Sequence, residues 1–322
     1  MYTRKILLLG AVVLILSGAC TPEFTPPHNL PLAEPALKQA SFVSFDGSEL
    51  PLRSWLPESG MDEAEAIFIA VHGFNDYSNF INRGGRFFAG HNIAVFAYDQ
   101  RGFGLAPVRG RWSSSDAMAQ DLNTLTDLIT RNHPGKPVYL LGHSMGGAVV
   151  ILAMKGRNHP PINGAILVSP AVWARSTMPF YQDAALWLAA HTVPWYTVTG
   201  ESLQRTACND PESLKELGRD PLVIKETRID TIYGLQDLMD KAYADAPDYT
   251  LKTLVLYGLH DEIIPEKPVL ETFNRFPTEA GVKKKLILYE NGYHMLLRDL
   301  QAENVMADIV AWVADNRADP EL

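Results

Sequence analysis

The chain has 322 residues, of which 47% are hydrophobic and 20% are charged. This composition supports one large core with room for an insertion, and it excludes both a disordered chain and a protein with many membrane spans. The formal net charge of −9, with no basic cluster beyond a lysine triplet at 283–285, argues against a nucleic-acid partner, and two cysteines cannot form a disulfide framework.

The first 19 residues have the pattern of a targeting signal. The basic pair Arg4 and Lys5 precedes an apolar run over 6–16 that is too short for a comfortable membrane span. Small residues then lead to Cys20, an arrangement that resembles a bacterial lipoprotein signal cleaved before a lipidated Cys20. It predicts a membrane-anchored protein of the bacterial cell envelope, facing the periplasm or the exterior. A soluble secreted protein and an uncleaved anchor are the alternatives.

Residues 20–40 are rich in proline and are predicted to form a tether. The folded part begins near Ser41, and residues 41–171 alternate between strands and helices. Strands are predicted at 41–46, 49–56, 66–71, 93–98, 137–141 and 165–168. Helices are predicted at 78–89, at 113–131 and directly after Ser144. This alternation favours the first part of an α/β core, with a mostly parallel sheet covered by helices on both faces.

The alternation stops near residue 172. Residues 172–249 contain helical and aromatic segments without a convincing strand pattern, which predicts a helical cap inserted into the sheet domain. Residues 250–322 return to the alternation and form the second part of the core. Its elements are predicted as strands at 253–257 and 286–289 and a final helix at 298–313.

Ser144 lies at the centre of Gly142-His143-Ser144-Met145-Gly146, between a β-favouring run and an apolar run that is typical of a buried helix. A serine on such a strand-to-helix turn has its hydroxyl pushed clear of the backbone, and the flanking glycines leave room for the turn. The helix N-terminus behind it offers unpaired N–H groups to a developing negative charge. The pattern therefore predicts Ser144 as a catalytic nucleophile.

An activated serine needs a base, and the base needs an orienting carboxylate. Functional groups gather beyond the carboxyl ends of parallel strands, so the candidates are sought just after the last two predicted strands. Asp261 and His294 occupy those positions, and the order Ser144, Asp261, His294 is the one expected for this arrangement. Glu262 and His260 are the rival assignments.

A tetrahedral intermediate also needs donors for its oxyanion. The backbone N–H of Met145, directly after the nucleophile, is the first predicted donor. The second should come from the loop after the third strand of the chain, where the N–H of Phe74 is the predicted group.

Together these motifs resemble the monoacylglycerol lipase/lysophospholipase family of α/β-hydrolases over nearly all of residues 41–315. The segments that carry the resemblance are His72-Gly73-Phe74, Tyr98-Asp99-Gln100-Arg101-Gly102-Phe103-Gly104, Gly142-His143-Ser144-Met145-Gly146-Gly147, Gly258 through Pro265, Gly292-Tyr293-His294 and, in the cap, Asp220-Pro221-Leu222-Val223. The resemblance implies the α/β-hydrolase fold, with a mostly parallel eight-stranded sheet flanked by helices and an inserted helical cap. It further implies a serine hydrolase that acts on carboxylic esters of glycerol or similar alcohols without a cofactor.

The chain departs from that family at two places. Asn75-Asp76-Tyr77-Ser78 stands where the family often has Gly-Glu-His-Ser, and Phe103 stands where a histidine is usual. Both departures leave the predicted triad alone and bear on the substrate.

The sequence therefore predicts a hydrolase of small-molecule lipid esters, monoacylglycerol or lysophospholipid, held at a membrane surface through lipidated Cys20. An acyl-enzyme on Ser144 is the expected intermediate. No metal is expected, because no HExxH motif or cluster of histidine and aspartate appears. A general carboxylesterase, a thioesterase and a cofactor-free perhydrolase are alternatives on the same scaffold. A non-catalytic envelope binding protein is a remote alternative, against which the complete apparent triad argues.

Overall fold

The computed structural model describes residues 21–28, 33–156, 158–200, 205–278 and 283–318, so the predicted signal and Cys20 lie outside the described residues. The strands are β1 (Ala36–Leu37), β2 (Ser41–Val43), β3 (Glu49–Trp55), β4 (Ala66–Val71), β5 (Ile93–Tyr98), β6 (Val138–His143), β7 (Gly164–Val168), β8 (Thr197–Thr199), β9 (Glu226–Arg228), β10 (Thr253–Gly258) and β11 (Lys284–Tyr289). The helices are α1 (Asn82–Ala89), α2 (Ser115–Asn132), α3 (Met145–Ala153), α4 (Phe180–Thr192), α5 (Pro211–Arg219), α6 (Ile229–Asp245), α7 (Glu266–Arg275) and α8 (Ala302–Ala318).

In the described part of the chain, nine strands form the central sheet in the order β1-β2-β3-β5-β4-β6-β7-β10-β11. The pairs β1–β2, β2–β3 and β3–β5 are antiparallel, and the pairs from β5 to β11 are parallel. The predicted mostly parallel sheet is thus confirmed. It has one strand more than the expected eight, because Ala36 and Leu37 pair with Val43 and Phe42 at its edge.

The central strands are mostly apolar and are buried along their whole length, as in β4, β5 and β6. Parallel strands need this because helices cover both sides of the sheet. One face packs against α2, α3, α6 and α7 around such residues as Leu122 and Val149. The other face packs against α1 and α8 around Phe88 and Ile309. Residues 78–89, predicted as one helix, divide into a 3₁₀ turn, Ser78–Ile81, followed by α1.

The cap departs from the purely helical prediction. It contains α4, α5 and α6, but β8 and β9 also pair as a two-stranded antiparallel ladder, with Thr197 opposite Arg228 and Thr199 opposite Glu226. Strands of three residues are too short to display a clear alternation of apolar and polar residues, so only their pairing reveals them.

The first described residues, 21–28, were expected to belong to a tether, yet they lie against the core. The N–H of Thr25 donates to the carbonyl of Trp112 at 2.8 Å, and the N–H of His28 donates to the Asp46 carboxylate at 3.0 Å. This part of the predicted tether is therefore attached to the folded body.

The register of the parallel strands brings their carboxyl ends to one edge of the sheet. Val71 lies opposite Gly142, and His143 lies opposite Val168. At the far side, Gly258 of β10 lies opposite Tyr289 of β11. The loops that carry the predicted site residues all leave from this edge. No helix among the described residues combines the length and apolarity needed to cross a bilayer.

Candidate active site

Ser144 sits between β6 and α3 with φ 52° and ψ −115°, a left-handed conformation that non-glycine residues rarely adopt. The turn is tight because β6, α3 and β4 approach one another closely. A Cβ on Gly146 would lie 2.1 Å from the carbonyl oxygen of Val71, and one on Gly142 would lie 2.6 Å from the carbonyl oxygen of Gly146. Only glycine fits at these two positions, which explains the glycines that flank the serine.

The three predicted triad residues meet at the carboxyl edge of the sheet. The Oγ of Ser144 is 2.9 Å from Nε2 of His294, and Nδ1 of His294 is 2.7 Å from Oδ2 of Asp261. Ser144 is 7% exposed and His294 is 4% exposed, so the line of hydrogen bonds is largely shielded from water. In this geometry Nδ1–H donates to the carboxylate, which leaves Nε2 free to accept the serine proton.

Asp261 is fixed by its own loop. Its second carboxylate oxygen, Oδ1, accepts the N–H groups of Ile263 and Ile264 at 2.8 and 2.9 Å, while Oδ2 faces His294. Both oxygens are therefore held in place, and the carboxylate can orient the imidazole.

The two rival residues face other partners. The carboxylate of Glu262 accepts the N–H of Thr206 at 2.6 Å. The ring of His260 is exposed and contacts the ring of Tyr293 edge-on, with centroids 5.4 Å apart. The structure thus brings Asp261 and His294, and neither rival, to Ser144.

The two predicted oxyanion donors flank the nucleophile. Met145 is the first residue of α3, where a backbone N–H has no partner within the helix. Phe74 follows Gly73, and a Cβ on Gly73 would lie 3.3 Å from Cβ of Ser144, so this loop passes directly beside the nucleophile. In the described part of the chain, the backbone hydrogen bonds outside the helices and strands use neither N–H group.

His72 holds the loop that carries Phe74. Its Nε2 accepts the N–H of Gln100 at 2.9 Å, so its Nδ1–H donates to the carbonyl of Gly73 at 2.8 Å. Burial lowers the pKa of His72 and keeps the ring neutral, as this pattern of one acceptor and one donor requires. The rings of His72 and Phe103 meet in a T-shaped arrangement with centroids 5.5 Å apart. This contact accommodates the apolar ring of Phe103 where the family usually has a histidine. In the sequence, His72 stands out only through its position at a strand end and within the motif His72-Gly73-Phe74.

His143 lines the turn that carries Ser144 and is not placed as a base. It donates from Nε2 to the carbonyl of His294 at 3.2 Å and stacks on Phe80. Burial, and next the neighbouring charge of His294, hold the pKa of His143 well below its ordinary value. A neutral His143 therefore supports the backbone of the loop after β11 that carries His294, which we call the histidine loop.

The segment that departs from the family pattern connects the Phe74 loop to the cap. The carbonyl of Asn75 accepts the N–H of Ile224 at 2.9 Å, and its side-chain amide donates to Oγ1 of Thr227 at 2.7 Å. The hydroxyl of Tyr77 donates to Asp220 at 2.7 Å. We call these three contacts the cap latch. Sequence reasoning missed it, because its partners lie some 150 positions away along the chain.

The same segment is joined to the histidine loop. The carboxylate of Asp76, which is buried, pairs with Arg298 at 2.5 Å and accepts the N–H of Tyr77 at 2.9 Å. Arg298 lies four residues after His294, so the Phe74 loop is held between the cap on one side and the histidine loop on the other.

Cys208, the cysteine among the described residues, is buried beside the histidine loop. The Sγ of Cys208 donates to the carbonyl of Arg298 at 3.4 Å, and burial raises the pKa of Cys208 to about 12. Its thiol is therefore protonated at neutral pH, in line with an ordinary free thiol. No group of three or more histidine, cysteine, aspartate or glutamate side chains suited to a metal ion occurs among the described residues.

This chain is similar to a known protein family and to several known proteins. The family described as "Serine aminopeptidase, S33" matches residues 62–301. Human monoglyceride lipase is 27% identical over 307 residues, covering 92% of this chain and 97% of that protein. The monoacylglycerol lipase of Mycolicibacterium smegmatis is 24% identical and covers 86% of this chain and 96% of that protein.

Solved structures share the fold. A soluble variant of monoglyceride lipase from Saccharomyces cerevisiae, solved with a substrate analogue, aligns with a TM-score of 0.72 at 21% identity and covers 91% of this chain and 99% of that one. The monoacylglycerol lipase of Paleococcus ferrophilus aligns with a TM-score of 0.68 at 23% identity, covering 83% of this chain and 99% of that one.

Proposed function

Because this chain belongs to the α/β-hydrolase family described as serine aminopeptidase S33, and because monoglyceride lipases resemble it along nearly their whole length, we propose that it hydrolyses carboxylic esters of lipids. Monoacylglycerol or lysophospholipid is the proposed substrate. The observation that carries the proposal is the line of hydrogen bonds from Ser144 through His294 to Asp261.

Each residue of that line has a proposed role. His294 takes the proton of Ser144 through Nε2 as Oγ attacks the ester carbonyl, and Asp261 holds the imidazole in the correct tautomer and stabilises its charged form. The N–H groups of Met145 and Phe74 receive the oxyanion. His294 then protonates the leaving alcohol, and a water molecule activated by the same imidazole hydrolyses the acyl-enzyme on Ser144.

The surroundings of the Phe74 loop support an apolar acyl group. The partly buried side chains of Phe74, Trp173, Ile224 and Leu235 pack against the same apolar cluster that contains Met145. Three of them, Trp173, Ile224 and Leu235, come from the cap. Binding sites for small molecules combine mostly apolar walls with a few polar groups, and the triad supplies the latter.

Attachment to a membrane is a second part of the proposal. It rests on the lipoprotein-like pattern before Cys20, which predicts a lipidated mature N-terminus in the bacterial cell envelope. Mass spectrometry of the mature protein checks this directly. An unmodified Cys20 would reject the anchor and favour a secreted protein.

The test of the activity compares wild type with Ser144→Ala on long-chain monoacylglycerol, lysophospholipid and short p-nitrophenyl esters. We expect the mutant to lose at least about a thousandfold in kcat, since the nucleophile is removed. A preference for long-chain monoacylglycerol supports the lipase. Turnover of short esters alone would favour a general carboxylesterase.

The same panel includes acyl thioesters and aminoacyl p-nitroanilides, because the family description names an aminopeptidase. Cleavage of the anilides in preference to the esters would move the assignment to a peptidase. Unchanged activity in a folded Ser144→Ala protein would reject the nucleophile and with it the mechanism.

A further inference from the structure

A cleft of about 450 Å³ lies between α1 of the core and α5 of the cap, and we call it the charged cleft. Arg83 and Arg86, three residues apart on α1, line its core side. Glu212 and Glu216, four residues apart on α5, line its cap side. Residues at these spacings share one face of a helix, so the cleft has a basic wall and an acidic wall. Its volume is that of a binding site for a small molecule.

Much of this charge is not neutralised across the cleft. Within the described part of the chain, the side chains of Arg86 and Glu216 take part in no ion pair or hydrogen bond. Arg83 pairs with Glu303 at 3.2 Å, outside the cleft, and both side chains of that pair are exposed. Opposite charges that line one cleft without pairing leave room for a ligand that carries both signs.

Arg298 adds a guanidinium group whose position is fixed. It also lines the charged cleft, and its two terminal nitrogens donate to the carboxylate of Asp76 at 2.5 and 3.5 Å. The side chain of Arg298 is 17% exposed. A guanidinium group carries five N–H donors, so donors remain for a ligand in the cleft after both bonds to Asp76 are made.

The charged cleft adjoins the surroundings of the triad. Phe80 and Arg298 line the cleft and also line a small crevice, together with His143 and Met295. His143 and Met295 are the chain neighbours of the proposed nucleophile and of the proposed base. A group in the cleft therefore lies close to the place where an ester would react.

The side chains proposed to surround the acyl group belong to the other side of the sheet. Phe74 and Ile224 pack against the core cluster that contains α3, whereas Phe80 belongs to the cluster on the face covered by α1 and α8. An ester at Ser144 can thus direct its acyl group toward the apolar walls of the cap and its alcohol toward the charged cleft.

We propose that the charged cleft binds the zwitterionic head group of a lysophospholipid, a phosphodiester that carries an ammonium group. The phosphate binds Arg86 and the free N–H groups of Arg298, because planar guanidinium groups suit phosphate oxygens. The ammonium group faces the carboxylate of Glu216. This inference rests on the proposed ester hydrolysis and narrows its substrate from a neutral monoacylglycerol to a lysophospholipid.

The reaction leaves the phosphodiester bonds intact. The ester bond between the acyl carbon and the glycerol oxygen breaks as Oγ of Ser144 takes the acyl group, and the glycerol oxygen leaves with the proton that His294 received from Ser144. One water molecule then releases the fatty acid and returns the proton to Ser144. The cleft holds the leaving alcohol through its charges and takes no part in the bond changes.

The first test measures binding without turnover. Phosphorus NMR follows glycerophosphoethanolamine, the soluble head group, at millimolar concentration with the Ser144→Ala protein. We expect line broadening that saturates with protein, and a dissociation constant raised about fivefold when either Arg86→Gln or Glu216→Gln is added. Arg219→Gln, on α5 but outside the lining of the cleft, is the matched control and should leave binding unchanged.

The second test uses the sign of each charge. Lysophosphatidylethanolamine, lysophosphatidylglycerol and monoacylglycerol with one acyl chain are presented in micelles of an uncharged detergent. Arg86→Gln should lower kcat/KM about fivefold for both phospholipids, since both carry a phosphate. Glu216→Gln should lower it only for the ethanolamine lipid, which alone carries an ammonium group. Neither variant should change turnover of monoacylglycerol, whereas a purely structural role would affect all three substrates.

Several outcomes would overturn the proposal. Absence of line broadening would reject the cleft as a head-group site and leave the ester hydrolysis standing. Equal losses on all three substrates, restored by the charge-swapped double variant Arg86→Glu and Glu216→Arg, would assign these residues to holding the cap against the core. Binding with unaltered kinetics in both variants would make the ligand a free zwitterion and reject the substrate assignment.

One outcome separates this proposal from the proposed function. A protein that binds glycerophosphoethanolamine through Arg86 and Glu216, yet hydrolyses no ester in any assay, would support the charged cleft and reject the proposed activity.

Discussion

At the scale of single residues, the site depends on side chains whose polar atoms all have hydrogen-bond partners that fix their orientation. The carboxylate of Asp261 is a good example, since one oxygen accepts two backbone N–H groups and the other faces His294. The neighbouring acid, Glu262, has instead a backbone partner at Thr206. Two adjacent carboxylates in one loop therefore have different roles, and a pair of isosteric substitutions can tell them apart.

We expect Asp261→Asn to lower kcat for a soluble ester by about 10⁴, because an amide favours the wrong tautomer of His294. Glu262→Gln, the matched control, should change kcat by less than about threefold, since it lies outside the line to Ser144. Steady-state kinetics of both proteins, with circular dichroism to verify folding, make the comparison. A larger loss for the glutamine variant would transfer the orienting role to Glu262.

At the scale of elements, the cap latch links the cap to the loop that carries the Phe74 N–H. Asn75 adopts φ 64° there. The hydrogen bond from its side-chain amide to the Thr227 hydroxyl is one of the contacts that attach the loop to β9. The pKa of Tyr77 is raised to about 12, by burial and then by its bond to Asp220, so its hydroxyl remains a donor at neutral pH. The position of a proposed oxyanion donor therefore depends on the position of the cap.

Removal of one latch contact should reduce turnover more than substrate binding. Thr227→Val deletes the acceptor of the Asn75 amide. If the free energy of one such hydrogen bond, about 1 kcal/mol, serves to position the Phe74 N–H in the transition state, its loss lowers kcat about fivefold. KM should change less, because the acyl-binding walls stay in place. Thr197→Val, the same substitution at an exposed position of the same ladder, is the control. Equal effects of the two variants would show that the ladder matters only for stability.

At the scale of the whole molecule, buried neutral histidines make stability depend on pH. Burial lowers the pKa of both His72 and His143 in the folded state, whereas an unfolded chain binds protons on these rings below about pH 6.5. The unfolded state then carries more protons, so the free energy of unfolding falls as the pH falls. Above pH 6.5 this contribution is fully present.

Between pH 6.5 and pH 5, the free energy of unfolding should fall by up to about 1.4 kcal/mol per pH unit for each of the two rings. Urea unfolding at several pH values measures this slope. His143→Gln should make the slope shallower. A slope that His143→Gln does not alter would mean that His143 is not the group responsible.

The local pattern of this sequence determined the parallel core and the order of the three site residues. Apolar runs such as β4 and β6 indicate strands covered on both faces, and the glycines around Ser144 reflect backbone contacts within a single turn. Parallel strands bring their carboxyl ends to one edge, so the positions of Asp261 and His294 directly after two such strands are enough to place them near the serine.

Only the tertiary structure decided the features that join distant parts of the chain. The hydrogen bond from Asn75 to Thr227 spans 152 positions, and the ladder of β8 and β9 is too short to leave a periodic signal. Glu23 lies 3.7 Å from Arg228, although the first part of the core and most of the cap separate the two along the chain. The structure also assigned residues 21–28 to the folded body, because single polar contacts with Trp112 and Asp46 leave no pattern in the sequence. Periodicity reports what a segment does with its immediate neighbours, whereas these contacts depend on where the fold places residues that are far apart along the chain.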